Sequence, residues 1–314
     1  MDAGIIIQVV LLLAGFVFLI KGSDFFVDGA SSIAAILKVP TIIVGLTIVA
    51  FGTSAPEAAV SITSSLTGSN AMAVSNVIGS NLFNIMMVIG IAALLGDLLM
   101  EKSVLNKDLP FLVAITVLLA VFILIGGDIS SIEGIILLLI LIGYVFYLIR
   151  NAGQSGATNY VEKPKLSTPK SIIFIVVGLA GIIIGGDLVV DSASSIAMAL
   201  GMSETLVGLT IVAIGTSLPE LVTSITALRK GENQLVIGNV IGSNIFNILF
   251  VLGASSAISA IPISSSMIVD TAIMIAVTIL CFIFGKTQEK YDKKEGFILV
   301  ALFIAYMAFA IMRN

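Results

Sequence analysis

Two glutamates, Glu57 and Glu220, stand in the middle of long apolar runs. A carboxylate at that depth in a bilayer costs at least about 3 kcal/mol and is normally kept for function. Each closes the same short motif: Ala50-Phe51-Gly52-Thr53-Ser54-Ala55-Pro56-Glu57 and Ala213-Ile214-Gly215-Thr216-Ser217-Leu218-Pro219-Glu220. Pro56 has no N–H, so the Gly52 carbonyl loses its helical partner, and Pro219 does the same to Gly215. In hydrocarbon a freed carbonyl must find another partner, and a cation supplies one. Thr53, Ser54, Glu57 and Ser61 lie at spacings of three and four, so their oxygens share a helix face, as do those of Thr216, Ser217, Glu220 and Ser224.

Two further runs carry oxygen at every fourth residue: Asn76, Ser80 and Asn84, and again Asn239, Ser243 and Asn247. Such small and amide residues either ligate an ion or glue helices together. Ligation is the expectation for Ser80, Asn84, Ser243 and Asn247; for Asn76 and Asn239 both roles stay open. Gly79 and Gly242 are expected to let a neighbouring helix come close.

Two facing carboxylates cannot both ionise without counter-charge, and no Lys or Arg lies near either motif in the sequence. One divalent cation balances a fixed charge of about −2, and carboxylates, carbonyls and hydroxyls form the hard oxygen shell that Ca2+ accepts with six to eight ligands. Mg2+ holds its waters, and softer metals favour His or Cys. The chain has no His and one Cys, Cys281, which excludes disulfide frameworks and His-based catalysis. No enzyme activity, resident cofactor or nucleic-acid partner is expected. Two or more Na+ competing for the same oxygens would give an exchanger.

The elements that must hold these residues are membrane helices. Of the 314 residues 58% are hydrophobic and 11% charged, against about 25% charged in a soluble domain; mean hydropathy is +1.19. Apolar runs place ten spans near 4–21 (continuing toward 36), 42–66, 72–95, 109–126, 131–150, 170–200, 205–228, 234–257, 267–285 and 295–312. Met1-Asp2-Ala3-Gly4 brings no basic residue before the first run, which reads as a span and not a cleaved signal. Of fifteen Lys and Arg, thirteen fall on one side of this arrangement. Excess positive charge marks the cytoplasmic side, so both termini are predicted outside the cell membrane and the linker 151–169 inside. That linker is polar and too short for a regulatory domain.

Residues 22–90 align without a gap to 185–253, with 38 of 69 positions identical. Each copy lies in a five-span half, 1–150 or 170–314. Five is odd, so the second half enters the membrane inverted, and matched segments meet near the midplane as in secondary transporters. The expected fold is an all-α membrane protein of ten transmembrane helices in two inverted five-helix repeats.

The paired Gly-Thr-Ser-x-Pro-Glu motifs, each followed by a Gly-Ser-Asn-bearing helix, resemble the alpha repeats of the sodium/calcium exchanger family, in its compact form without a regulatory loop. The resemblance covers essentially the whole chain. It implies that Glu57 and Glu220 are central Ca2+ ligands also used by Na+. Thr53, Ser54, Thr216 and Ser217, with the carbonyls of Ala50, Thr53, Ala213 and Thr216, would build flanking Na+ positions completed by Ser80, Asn84, Ser243 and Asn247. It implies exchange of, usually, three Na+ for one Ca2+; alternating access around a fixed midplane site, by a functional monomer, is the expected mode. Potassium-dependent relatives have aspartate where this chain has Asn247, which implies independence of K+. The first and sixth spans, with Gly15, Gly22, Gly178, Gly181, Gly185 and Gly186, are the expected sliding pair. Asp24, Asp28, Asp187 and Asp191 on these spans either attract cations at a vestibule or cap helix ends. Competing readings are a Ca2+/H+ exchanger using the same glutamates and a cation channel.

Overall fold

The computed structural model describes residues 3–68, 70–152, 164–202, 207, 210–211 and 213–313. Among the described residues, eight helices are long and apolar enough to cross a membrane. They are α1 (Ala3–Leu37), α4 (Asn70–Leu95), α5 (Val104–Gly126), α6 (Ser131–Ala152), α7 (Thr168–Ala199), α9 (Asn233–Ile258), α10 (Ser265–Gln288) and α11 (Lys293–Arg313). A ninth span is bent: α2 (Thr41–Thr53) and α3 (Ala55–Leu66) meet at 48°. The break falls at Ser54, where Pro56 enters the first turn of α3, as the missing amide requires. A matching break separates the helical turn Ala213–Gly215 from α8 (Leu218–Arg229), with Pro219 in the same place. Residues 203–206, 208–209 and 212 of the expected seventh span, and 153–163 of the linker, lie outside the described residues.

The helices sort by burial. In the apolar windows of α4 and α9, 78% and 94% of residues are buried, against 11% in α1 and 22% in α6 and α11. The two helices carrying the amide stripes therefore form the centre, and the remainder face outward with bare Ile, Leu, Val and Phe, as lipid contact demands. Where α9 crosses α2, small residues bring backbones together: a Cβ added at Gly242 would stand 2.7 Å from the Ala50 Cβ. For Gly79 nothing among the described residues lies within 4 Å of where its Cβ would sit, and part of the segment that the repeat pairs with it lies outside the described residues.

The glycines of α1 and α7 do meet. A Cβ at Gly178 would stand 2.5 Å from the Phe26 nitrogen, and one at Gly185 2.6 Å from the Leu19 nitrogen. The two helices thus touch backbone to backbone, the approach that small residues permit within a bilayer.

Four two-residue strands add a detail that an all-α reading misses. β1 (Leu98–Leu99) pairs with β4 (Lys290–Tyr291), and β2 (Asp128–Ile129) with β3 (Ile261–Pro262), both antiparallel. Each joins a loop of one half to a loop of the other, satisfying backbone groups that leave their helices. Lys290 also pairs with Asp97, and Arg313 holds Asp270 through two nitrogens at 3.0 and 2.9 Å.

Candidate functional site

The two broken segments cross at the centre of the molecule, and their glutamates are fully buried. The serine of each break serves the glutamate of the other. Ser217 donates to Glu57 Oε1 at 3.0 Å, and Ser54 donates to Glu220 Oε1, also at 3.0 Å. Ser80, on α4, adds a donor to Glu57 Oε1 at 3.3 Å. One oxygen of each carboxylate is thus held, and the other is not: Glu57 Oε2 and Glu220 Oε2 are buried and have no hydrogen-bond partner within the described protein. Among the described residues, neither glutamate forms an ion pair with Lys or Arg.

Further oxygens share this condition. Asn84 Oδ1, Asn247 Oδ1 and Thr216 Oγ1 are buried and have no partner among the described residues. Asn84 and Asn247 each open a π-helical segment, Asn84–Val88 and Asn247–Leu252. Such widened turns are frequent at functional sites because they displace a residue and its carbonyl from the regular ladder. Buried oxygens without donors are costly. Among the described residues no group of three or more acidic, His or Cys side chains gathers in a metal-binding arrangement. Two carboxylates amid neutral oxygens suit an ion that must also leave, since affinity for a hard cation rises with ligand charge.

Of the residues expected at the site, Thr53, Ser54, Glu57, Ser80, Asn84, Ser217, Glu220, Ser243 and Asn247 are all buried here, with Ala50 beside them. Thr53 Oγ1 lies 3.0 Å from Asn239 Oδ1 and 3.4 Å from Ser243 Oγ, and bonds back to the Val49 carbonyl at 3.1 Å. Thr216 is half-buried. Ala213 lies in the helical turn Ala213–Gly215 before the second break, which puts its carbonyl on that segment.

Asn76 and Asn239 make matching contacts between helices. Asn76 Nδ2 donates to Ser61 Oγ at 2.9 Å and to the Glu57 carbonyl at 3.3 Å; Asn239 Nδ2 donates to Ser224 Oγ at 3.0 Å and to the Glu220 carbonyl at 3.4 Å. Both amides clamp a glutamate-bearing helix to its neighbour. The aspartates behave differently in the two copies. Asp24 and Asp28 are ion-paired with Lys230, which extends from the end of α8 at 3.6 and 2.8 Å; Asp187 and Asp191 are exposed. Lys230 matches Thr67 in the other copy, so the first pair meets a cation that the repeat does not duplicate.

The sequence reading gave no role to Asn81 and Asn244, which lie where α4 and α9 cross. Asn81 Nδ2 donates to the Asn244 carbonyl at 3.4 Å, and Asn247 Nδ2 donates to Asn81 Oδ1 at 3.2 Å. Their identity in both copies was the available signal.

Comparison with known proteins agrees with this architecture. The family model described as sodium/calcium exchanger protein matches residues 7–150 and 170–312. The chain is 39% identical to the putative antiporter CaxA of Alkalimonas amylolytica, over 96% of this chain and 98% of that one. It is 33% identical to the sodium/calcium exchanger MaX1 of Methanosarcina acetivorans, over 96% and 98% respectively. Among solved structures, the sodium-calcium exchanger NCX_Mj soaked with Na+ and Sr2+ superposes with a TM-score of 0.86 at 32% identity, covering 97% of this chain and 99% of that one. The chain is a multi-pass membrane protein that belongs to the sodium/calcium exchanger family.

Proposed function

We propose that this protein is a secondary antiporter that exchanges Na+ for Ca2+ by alternating access at one site near the membrane midplane. The observation that carries the reading is the set of buried, donor-free oxygens: Glu57 Oε2, Glu220 Oε2, Asn84 Oδ1, Asn247 Oδ1 and Thr216 Oγ1. A cluster of anionic and dipolar oxygen without an ammonium or guanidinium is stable in hydrocarbon only with cations. Glu57 and Glu220 bind Ca2+ directly, joined by Asn84 and Asn247. Thr53, Ser54, Thr216, Ser217, Ser80 and Ser243, with the carbonyls of Ala50 and Ala213, complete positions for Na+. Ca2+ brings two charges to two carboxylates; Na+ reaches the same balance with two ions, so the cargoes exclude one another and binding of one releases the other.

In this reading the chain has ten transmembrane helices in two inverted repeats, 1–150 and 170–314, joined by a cytoplasmic linker at 151–169, with both termini outside and the monomer as the working unit. The gap-free repeat of 69 positions, the exchange of serine–glutamate bonds between halves and the reciprocal strand pairs support the inverted arrangement. The excess of Lys and Arg on one side supports the orientation.

The test is 45Ca2+ flux in proteoliposomes with Na+, K+ and H+ gradients imposed one at a time. Uptake driven by an outward Na+ gradient alone is the expected result. Uptake that follows only the pH gradient would establish proton coupling, and single-channel currents would establish a pore.

A further inference from the structure

Asn247 and Asn84 occupy matched positions, yet only one is tied. Asn247 Nδ2 donates to Asn81 Oδ1 at 3.2 Å, whereas neither amide atom of Asn84 has a partner among the described residues. The direction of the Asn247–Asn81 bond is not arbitrary. Asn81 Nδ2 faces the backbone carbonyl of Asn244 at 3.4 Å, and a carbonyl can only accept, so the nitrogen of Asn81 must point there. Its oxygen is then turned toward Asn247, and an oxygen admits only a donor. Asn247 must present its nitrogen to Asn81, which leaves its own Oδ1 buried, without a partner. The matching residue of the other copy is set differently: Asn244 Nδ2 bonds the Val240 carbonyl one turn back in its own helix, at 2.9 Å, and its Oδ1 has no partner.

We infer that Asn81 is a positioning and specificity residue: anchored by the Asn244 carbonyl, it orients the Asn247 amide so that its oxygen faces the transported cation, and it requires a hydrogen-bond donor at position 247. This rests on the reading that Asn247 is an ion ligand. Asn81 itself touches no ion; it acts through Asn247. An ionised aspartate at 247, which can only accept, sets oxygen against oxygen at Asn81, so the network discriminates against a third carboxylate in the site and holds the fixed charge at about −2. The tied Asn247 and the untied Asn84 make the second half of the site the more rigid one, because an orientation held by a hydrogen bond costs less ordering when the ion arrives.

The experiment is a double-mutant cycle on purified protein in proteoliposomes, reading the apparent KM for Ca2+ at fixed internal Na+. Asn81→Ala raises the KM by about tenfold, on the order of one hydrogen bond's worth of orientation, and moves KM more than the maximal rate. In an Asn247→Ala background, Asn81→Ala adds less than about twofold, because the residue it positions is gone. An equal increase in both backgrounds, or none in the first, overturns the inference. Asn247→Ala with the KM of the parent protein overturns the ligand assignment instead, so the two failures are distinct. Should Asn81→Ala not yield folded protein, Asn81→Ser takes its place: its hydroxyl is too short to bridge both partners, and the same comparison decides.

Discussion

Replacing Glu57 by glutamine separates the chemistry of the site from its scaffold. The glutamine oxygen can take the place of Glu57 Oε1 and keep the hydroxyl donors of Ser217 and Ser80, at 3.0 and 3.3 Å. The amide nitrogen then replaces Oε2, the atom without a partner, so the packing loses nothing while the fixed charge of the pocket falls from about −2 to −1. Removing one member of a buried charge pair costs about 2–5 kcal/mol of binding, which is a loss of at least about 30-fold in Ca2+ affinity. Without ions the sign reverses. Two uncompensated buried carboxylates destabilise the fold, so the ion-free variant should melt at or above the parent. Cys281 is the one cysteine of the chain and is buried; a thiol-reactive fluorophore therefore reports unfolding directly. The parent should gain stability with Ca2+ as RT ln(1 + [Ca2+]/Kd), and Glu57→Gln should gain little at the same concentration, with 45Ca2+ flux close to background. Near-parental flux in a variant that melts normally would refute the assignment of Glu57 as a central ligand.

The serine crossover makes a second test: Ser54→Ala removes the donor to Glu220, and Ser217→Ala a donor to Glu57. Bonds to charged groups contribute about 1.5–3 kcal/mol, so each variant should raise the apparent KM for Ca2+ by about tenfold or more, read by flux in proteoliposomes. Gly178→Val would set a Cβ 2.5 Å from the Phe26 backbone nitrogen; neither helix can yield locally, and a loss of about 1–3 kcal/mol or more is expected, seen as a lower melting temperature in the thiol assay. Asp292 accepts the backbone N–H groups of Lys294 and Glu295 at the start of α11, and the bond from Glu295 foremost holds its carboxyl below the usual carboxylate range. A depressed folded-state value contributes stability above the unfolded one, about pH 4, and loses it on further acidification. The melting difference between the parent and Asp292→Asn should therefore be full near neutral pH and close as pH falls below about 4.

What was legible beforehand follows from how local each signal is. Glu57 and Glu220 are visible because a charge in an apolar run is anomalous by itself, and the repeat makes the anomaly occur twice. The bend at Ser54 is likewise local, since Pro56 removes an amide wherever the chain goes. The first span reads as ending near Lys21, with continuation toward 36, and α1 does run to Leu37; Asp24 and Asp28 are tolerated in it because Lys230 answers both. That pairing is distant in sequence and absent from the other copy, so neither periodicity nor the repeat discloses it. The strand pairs are two residues long and join loops about 130 and 190 positions apart, too brief to leave a pattern. Asn81 is hidden for a different reason. Its residue type and repetition are plain, but its role depends on which atom of an amide faces which neighbour, and only the Asn244 carbonyl decides that.

The exchange of bonds between the copies also constrains why both are needed. Each glutamate takes a donor from the other copy: Glu57 from Ser217 of the second, beside Ser80 of its own, and Glu220 from Ser54 of the first. Asn247 takes its orientation from Asn81 across the same boundary. The second half alone would bury Glu220 without the Ser54 donor, an arrangement worth several kcal/mol against folding. In the proposed exchanger the interface between copies is the site itself, and a cation bound there would join the halves at the point where alternating access requires them to move. A change at one break is felt by the glutamate of the other, and in the proposed exchanger this would tie occupancy of the pocket to the relative position of the two repeats.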